Sequence, residues 1–135
     1  MARNDALPVR LGQPLRLAWN APSLPHLSRI QIRLDIAHHG GNKTGEILCD
    51  VDDTGTFDVP APLIDALINL GLAGAPSVIV SRTSSVPLPS HPSVGFVVSS
   101  RVERAVDTGV ITCFDNAACP EDQICDRQRI ICINK

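Results

Sequence analysis

Arg29-Ile30-Gln31-Ile32-Arg33-Leu34-Asp35-Ile36-Ala37 is the stretch that decides the fold class. Ile30, Ile32, Leu34 and Ile36 alternate with Gln31, Arg33, Asp35 and Ala37. Side chains on a strand point to opposite faces at every second residue. A period of two therefore predicts a half-buried strand, apolar inward and polar outward.

The same period recurs on both sides. Upstream, Leu15, Leu17 and Trp19 fall in phase within residues 14–20, and the proline-punctuated loop 21–25 separates that strand from the first. Downstream, residues 38–43 read as a turn, and Ile47, Cys49 and Val51 share one face of the next strand. Asp52-Asp53-Thr54-Gly55 then reads as a hairpin turn leading to Phe57 and Val59. Residues 60–71 break the pattern. Leu63, Ala66, Leu67 and Leu70 have helical spacing, with proline at the start and glycine just past the end, so one short helix over 62–70 is expected. Strands resume at 78–80 and 94–106, the latter with Phe96, Val98, Val102 and Val106 in phase. The proline-rich stretch 86–92 reads as a loop between them. Asp107-Thr108-Gly109 reads as a turn before a last strand over 110–114. Seven or eight short strands punctuated by turns predict an all-β sandwich.

Composition narrows the function classes. A chain of 135 residues suits one domain with a small appendage, and 44% apolar residues suffice for a core. The net charge is −2, and lysine occurs only at Lys43 and Lys135, so no basic patch favours nucleic acid. One Trp, three Phe and no Tyr are too few to supply both a core and an aromatic platform for sugars or single strands. No apolar run reaches the length of a membrane span.

Residues 13–36, with an alternating strand ending in Trp19, a proline loop and a second alternating strand, resemble the opening of a fibronectin type III or immunoglobulin-like domain. The resemblance implies a β-sandwich with Trp19 in the inter-sheet core. Gly45-Glu46-Ile47-Leu48-Cys49-Asp50-Val51-Asp52-Asp53-Thr54-Gly55-Thr56-Phe57-Asp58-Val59-Pro60, followed by a helix and a Val-rich strand, resembles secreted lipoproteins predicted in myxobacteria. That implies an envelope location. The first residues carry no apolar signal region, so a signal or lipid-anchor segment is expected to have been removed upstream.

Four of the five cysteines, Cys113, Cys119, Cys125 and Cys132, crowd the C-terminus among polar, turn-forming residues. A segment with no core of its own needs staples, and two disulfides supply them. Four thiolates could also hold zinc, but structural zinc sites use closer C-x2-4-C knuckles. The expected division is a β-sandwich over 1–112 and a disulfide-stapled module over 113–135. Four cysteines allow three connectivities. The segment resembles, in spacing, the cysteine-rich modules of secreted growth-factor and Dickkopf-type proteins, and that resemblance implies the crossed pairing, Cys113–Cys125 with Cys119–Cys132. Cys49 is left over. It reads either as a buried, inert thiol or as a tether to Cys113.

Three sets of residues suggest chemistry. Asp53-Thr54-Gly55 and Asp107-Thr108-Gly109 resemble the triplet that carries the catalytic carboxylate of aspartic proteases, where two carboxylates share a proton. The same triplet is also ordinary turn chemistry, and only 26 residues follow Gly109. Asp50, Asp52 and Asp58, with Thr54 and Gly55, resemble part of a calcium loop, although Ala61 stands where an EF-hand places its bidentate glutamate. His38 and His39, with His91, form a poor metal set, because adjacent strand residues face opposite ways. Asn42-Lys43-Thr44 matches a glycosylation sequon. Asp65 is expected to be solvated.

These readings lead to a non-enzymatic, extracytoplasmic module that binds a protein partner or joins an envelope assembly, without a cofactor. Residues 86–92 and 115–123 are the loops expected to make contact. The alternatives are an aspartic-type hydrolase through Asp53 and Asp107, and an oligomer or filament subunit that pairs through an edge strand.

Overall fold

In the computed structural model, residues 5–35, 45–71 and 76–135 are described. The turn read over 38–43, the paired histidines His38 and His39, and the sequon 42–44 lie outside them. Burial along Ser28–Asp35, β3, follows the predicted alternation as far as Leu34, with Ile30, Ile32 and Leu34 almost wholly buried; Asp35, expected on the wet face, is buried as well. β3 pairs antiparallel with β4 (Glu46–Asp52) on one side and with β6 (Ser77–Leu88) on the other. β6 pairs antiparallel with β7 (His91–Asp107), and β1 (Leu7–Pro8) adds a short parallel contact at Val106 and Asp107. The resulting five-stranded sheet has the order β1-β7-β6-β3-β4.

A second, two-stranded sheet joins β2 (Leu15–Ala18) to β5 (Thr56–Val59). Leu15, Leu17 and Val59 from this sheet share one hydrophobic core with Ile30, Ile32, Leu34, Ile47 and Val78 of the larger one. The helix α1, Ala61–Asn69, adds Ile64, Leu67 and Ile68. Its buried face differs from the expected one. Leu63 and Leu70 are exposed, 45% and 51%, because the spacing i, i+3, i+4 also fits Ile64-Leu67-Ile68, which buries two isoleucines rather than an alanine. Asp65 is not solvated freely, since its Oδ1 accepts the Gly12 amide at 2.7 Å.

The expected hairpin at residues 52–55 is instead a corner. β4 and β5 do not pair; the chain leaves the larger sheet at Asp52 and enters the smaller one at Thr56. Gly55 makes the corner possible. Its φ of +96° is in the left-handed region, and its carbonyl accepts the Trp19 amide at 2.8 Å. The last expected strand, over 110–114, reduces to a single bridge between Thr112 and Ile131.

The C-terminal segment forms a hairpin of β8 (Gln123–Asp126) and β9 (Ile131–Asn134), stapled by Cys113–Cys125 and Cys119–Cys132. The crossed pairing is therefore the one present, and Cys49 is free. The tail is joined to the body through packing rather than through Cys49. Ile131 is 6% exposed and belongs to the main core. Cys113 and Cys132 amides donate to the Ile130 and Ile111 carbonyls. At the end of α1, a Cβ on Gly71 would lie 2.5 Å from the Arg129 carbonyl oxygen, so helix and tail meet backbone to backbone.

Candidate functional site

Asp53 sits at the corner between the sheets and is wholly buried. A buried carboxylate is tolerated only where donors replace its water shell. Four donors do so. Arg82 Nε donates to Oδ2 at 2.6 Å and Nη2 to Oδ1 at 3.0 Å. Ser28 Oγ donates to Oδ2 at 2.6 Å and Trp19 Nε1 to Oδ1 at 2.7 Å. The Arg82 hydrogen bond, assisted by Ser28 and Trp19, outweighs the opposing effect of burial and holds the carboxyl below its ordinary range. Trp19 is partly buried against the core, with its indole N–H committed to this network.

Asp107 is in a different setting. The Gly109 amide donates to its Oδ1 at 2.9 Å and Arg10 Nη2 to its Oδ2 at 2.9 Å, and these two contacts, in that order, lower its pKa. Each aspartate of the two Asp-Thr-Gly triplets thus has its own arginine, and both are held in the charged form. A protease dyad works the other way, through one proton shared by two carboxylates.

The acidic residues of the calcium-like stretch are likewise matched to arginines. Arg29 binds Asp50 at 2.6 Å and also contacts Asp52, both across the β3–β4 ladder. Asp58 lies in the other sheet, 3.6 Å from Arg16. Arg33 similarly bridges Asp35 and Glu46. The outer face of the larger sheet is thus a row of cross-strand charge pairs. Among the described residues, the one cysteine, histidine and carboxylate cluster tight enough for a metal is Cys113, Cys119 and Cys132, and all three sulfurs are in disulfides. Cys49 faces the core side of β4, and burial raises its thiol pKa.

The feature that sequence reasoning missed is at residues 86–92. These form the end of a long hairpin rather than a loop between sandwich strands. The β3 ladder stops at Ser28 opposite Ser84, so from Ser85 outward β6 and β7 pair only with each other. The face that is core at Ile32 and Val80 continues outward as open surface. Val102 lies opposite Val80, Val98 opposite Ser84, and Phe96 opposite Val86. Phe96 and Val102 are 63% and 62% exposed. At the root, Leu17, Trp19, Val80 and Val102, with Arg16 and Arg104, line a cleft of about 300 Å³. Among the described residues β7 pairs with β1 only at its last two residues, which leaves about 45 Å of strand edge unpaired. A second signal was legible. Between Arg82 and Arg101 there is no Asp, Glu, Lys or Arg.

Pro87 fits this arm because it lies beyond the reach of β3, at the register irregularity where the β6–β7 ladder ends. The stapled loop 115–123 is also exposed. Asp115 caps its short helical turn by accepting the Ala117 amide, and neighbouring Phe114 is 85% exposed.

Compared with known proteins, the chain matches no family model, no curated protein and no solved structure.

Proposed function

We propose that this chain is a non-enzymatic, extracytoplasmic module that binds a protein partner within a secreted or envelope assembly. The observation that carries the reading is the β6–β7 arm, a hairpin with one apolar face and no Asp, Glu, Lys or Arg, held away from the core with both edges open among the described residues. Soluble chains normally blunt such edges with charge. An apolar face of this kind is a docking surface, because it gains little by remaining in water. Two disulfides support an oxidising compartment. The two facing sheets, with Trp19 at the margin of their core, support an immunoglobulin or fibronectin III-like scaffold. The likeness of residues 45–60 to myxobacterial lipoproteins agrees with an envelope location. The arginine bound to each Asp-Thr-Gly carboxylate disfavours the hydrolase alternative.

A photo-crosslinking amino acid at Phe96, introduced in cells that make the protein, tests the reading. Phe96 is expected to give a discrete protein adduct. The same probe at Leu48, which is 67% exposed on the opposite side of the sheet, is expected to give none. Equal labelling at both positions would refute a docking arm.

A further inference from the structure

We infer that the arm's apolar face docks against the same face of a second copy of this chain, as a two-fold dimer. The inference rests on the docking-arm reading and names its partner. A two-stranded apolar face is half of a packed layer, and a second sheet about 10 Å away completes it. Among the described residues that layer is missing. The smaller sheet has only two strands, and it covers the sheet centre rather than the arm.

Charge and area argue for a copy of the same arm. A two-fold contact pairs residue i with j and j with i, and sets only the residues near the axis against their own counterparts, so any charge near the axis meets a like charge. The eighteen residues 83–100 contain no Asp, Glu, Lys or Arg, so the outer part of this face carries no such repulsion; Arg82 and Arg104 share the face only at its root, on either side of Val102. A charged partner would instead find nothing to pair with. Val86, Val94, Phe96, Val98 and Val102 are each 48–63% exposed. Together they offer roughly 400 Å² of apolar area. One side of a standard interface buries about 800 Å², a little over half of it apolar. The face is thus of the size that one half of a stable dimer needs.

Sedimentation of the full, oxidised chain over a range of concentrations tests this. A concentration-dependent species of twice 14.4 kDa is expected. Val98→Glu and Val98→Lys, each alone, are expected to weaken the dimer by about 100-fold, and an equimolar mixture of the two to restore it. Leu48→Lys is expected to leave it unchanged. The Trp19 fluorescence melt, taken at a concentration where the parent is monomeric, should be the same for every variant, which separates lost docking from lost folding. A monomer at every concentration would overturn the dimer, as would a dimer indifferent to charge at Val98. A monomer that binds phosphatidylcholine vesicles through Phe96 would assign the face to lipid and also overturn it. A Phe96 cross-link to a different protein would sink the dimer while leaving the docking arm standing.

Discussion

Asp53 shows how much one residue decides. It closes the corner between two sheets, and its four donors come from β3, β6, and the end of β2. Asp53→Asn keeps the shape but loses the charge that Arg82 needs. Because the Arg82 side chain is 32% exposed, water can relieve part of its loss. The expected destabilisation is about 2–4 kcal/mol in chemical denaturation. The sign of its pH dependence follows from the lowered pKa. The native carboxyl holds fewer protons than the unfolded one, so its stabilisation is present above the ordinary aspartate range, near 3.9, and is lost as pH falls through the native value. Stability profiles of parent and Asp53→Asn should therefore converge in acid and diverge towards neutrality. Asp107→Asn should cost much less, below about 1 kcal/mol, because its pair with Arg10 is about half exposed on both sides.

At the scale of elements, the alternating strands were legible because one face is buried and the other is wet. From Arg29 to Leu34, β3 reads in the sequence as it stands in the fold, and only Asp35 departs from it. Partners were less legible. Asp52-Asp53-Thr54-Gly55 has hairpin residues, yet it turns a corner because Arg82, 29 residues further on, draws Asp53 inward. The arm was read as a loop because Pro87, Pro89 and Pro92 look like breakers, although they cluster at the tip of a two-stranded hairpin, where the ladder is already irregular. The tail was legible as a disulfide unit, but its attachment was not. Ile131 reads as one apolar residue in a cysteine-rich run, and only the bridge to Thr112 places it in the core. Ile131→Ala is expected to cost about 2–4 kcal/mol in guanidinium unfolding with both disulfides intact. A loss confined to the tail, with the body melting as before, would make the tail a separate unit.

At the scale of the molecule, stability and contact are assigned to different parts. The core lies between the two sheets, α1 and Ile131, where the apolar residues are almost fully buried. The arm beyond Ser84 contributes no residue to that core, yet it carries some of the most exposed apolar side chains in the chain. Folding alone does not account for keeping such a surface in water. This is why the docking reading follows from the whole architecture rather than from any motif. The most direct measurement is the thermal melt of a variant in which residues 85–97 are replaced by Asn-Gly, a two-residue turn joining Ser84 to its ladder partner Val98. At a concentration where the parent is monomeric, a midpoint within a few degrees of the parent is predicted. A fall of more than about 10 °C would make the arm part of the folding core and contradict its assignment as the docking surface.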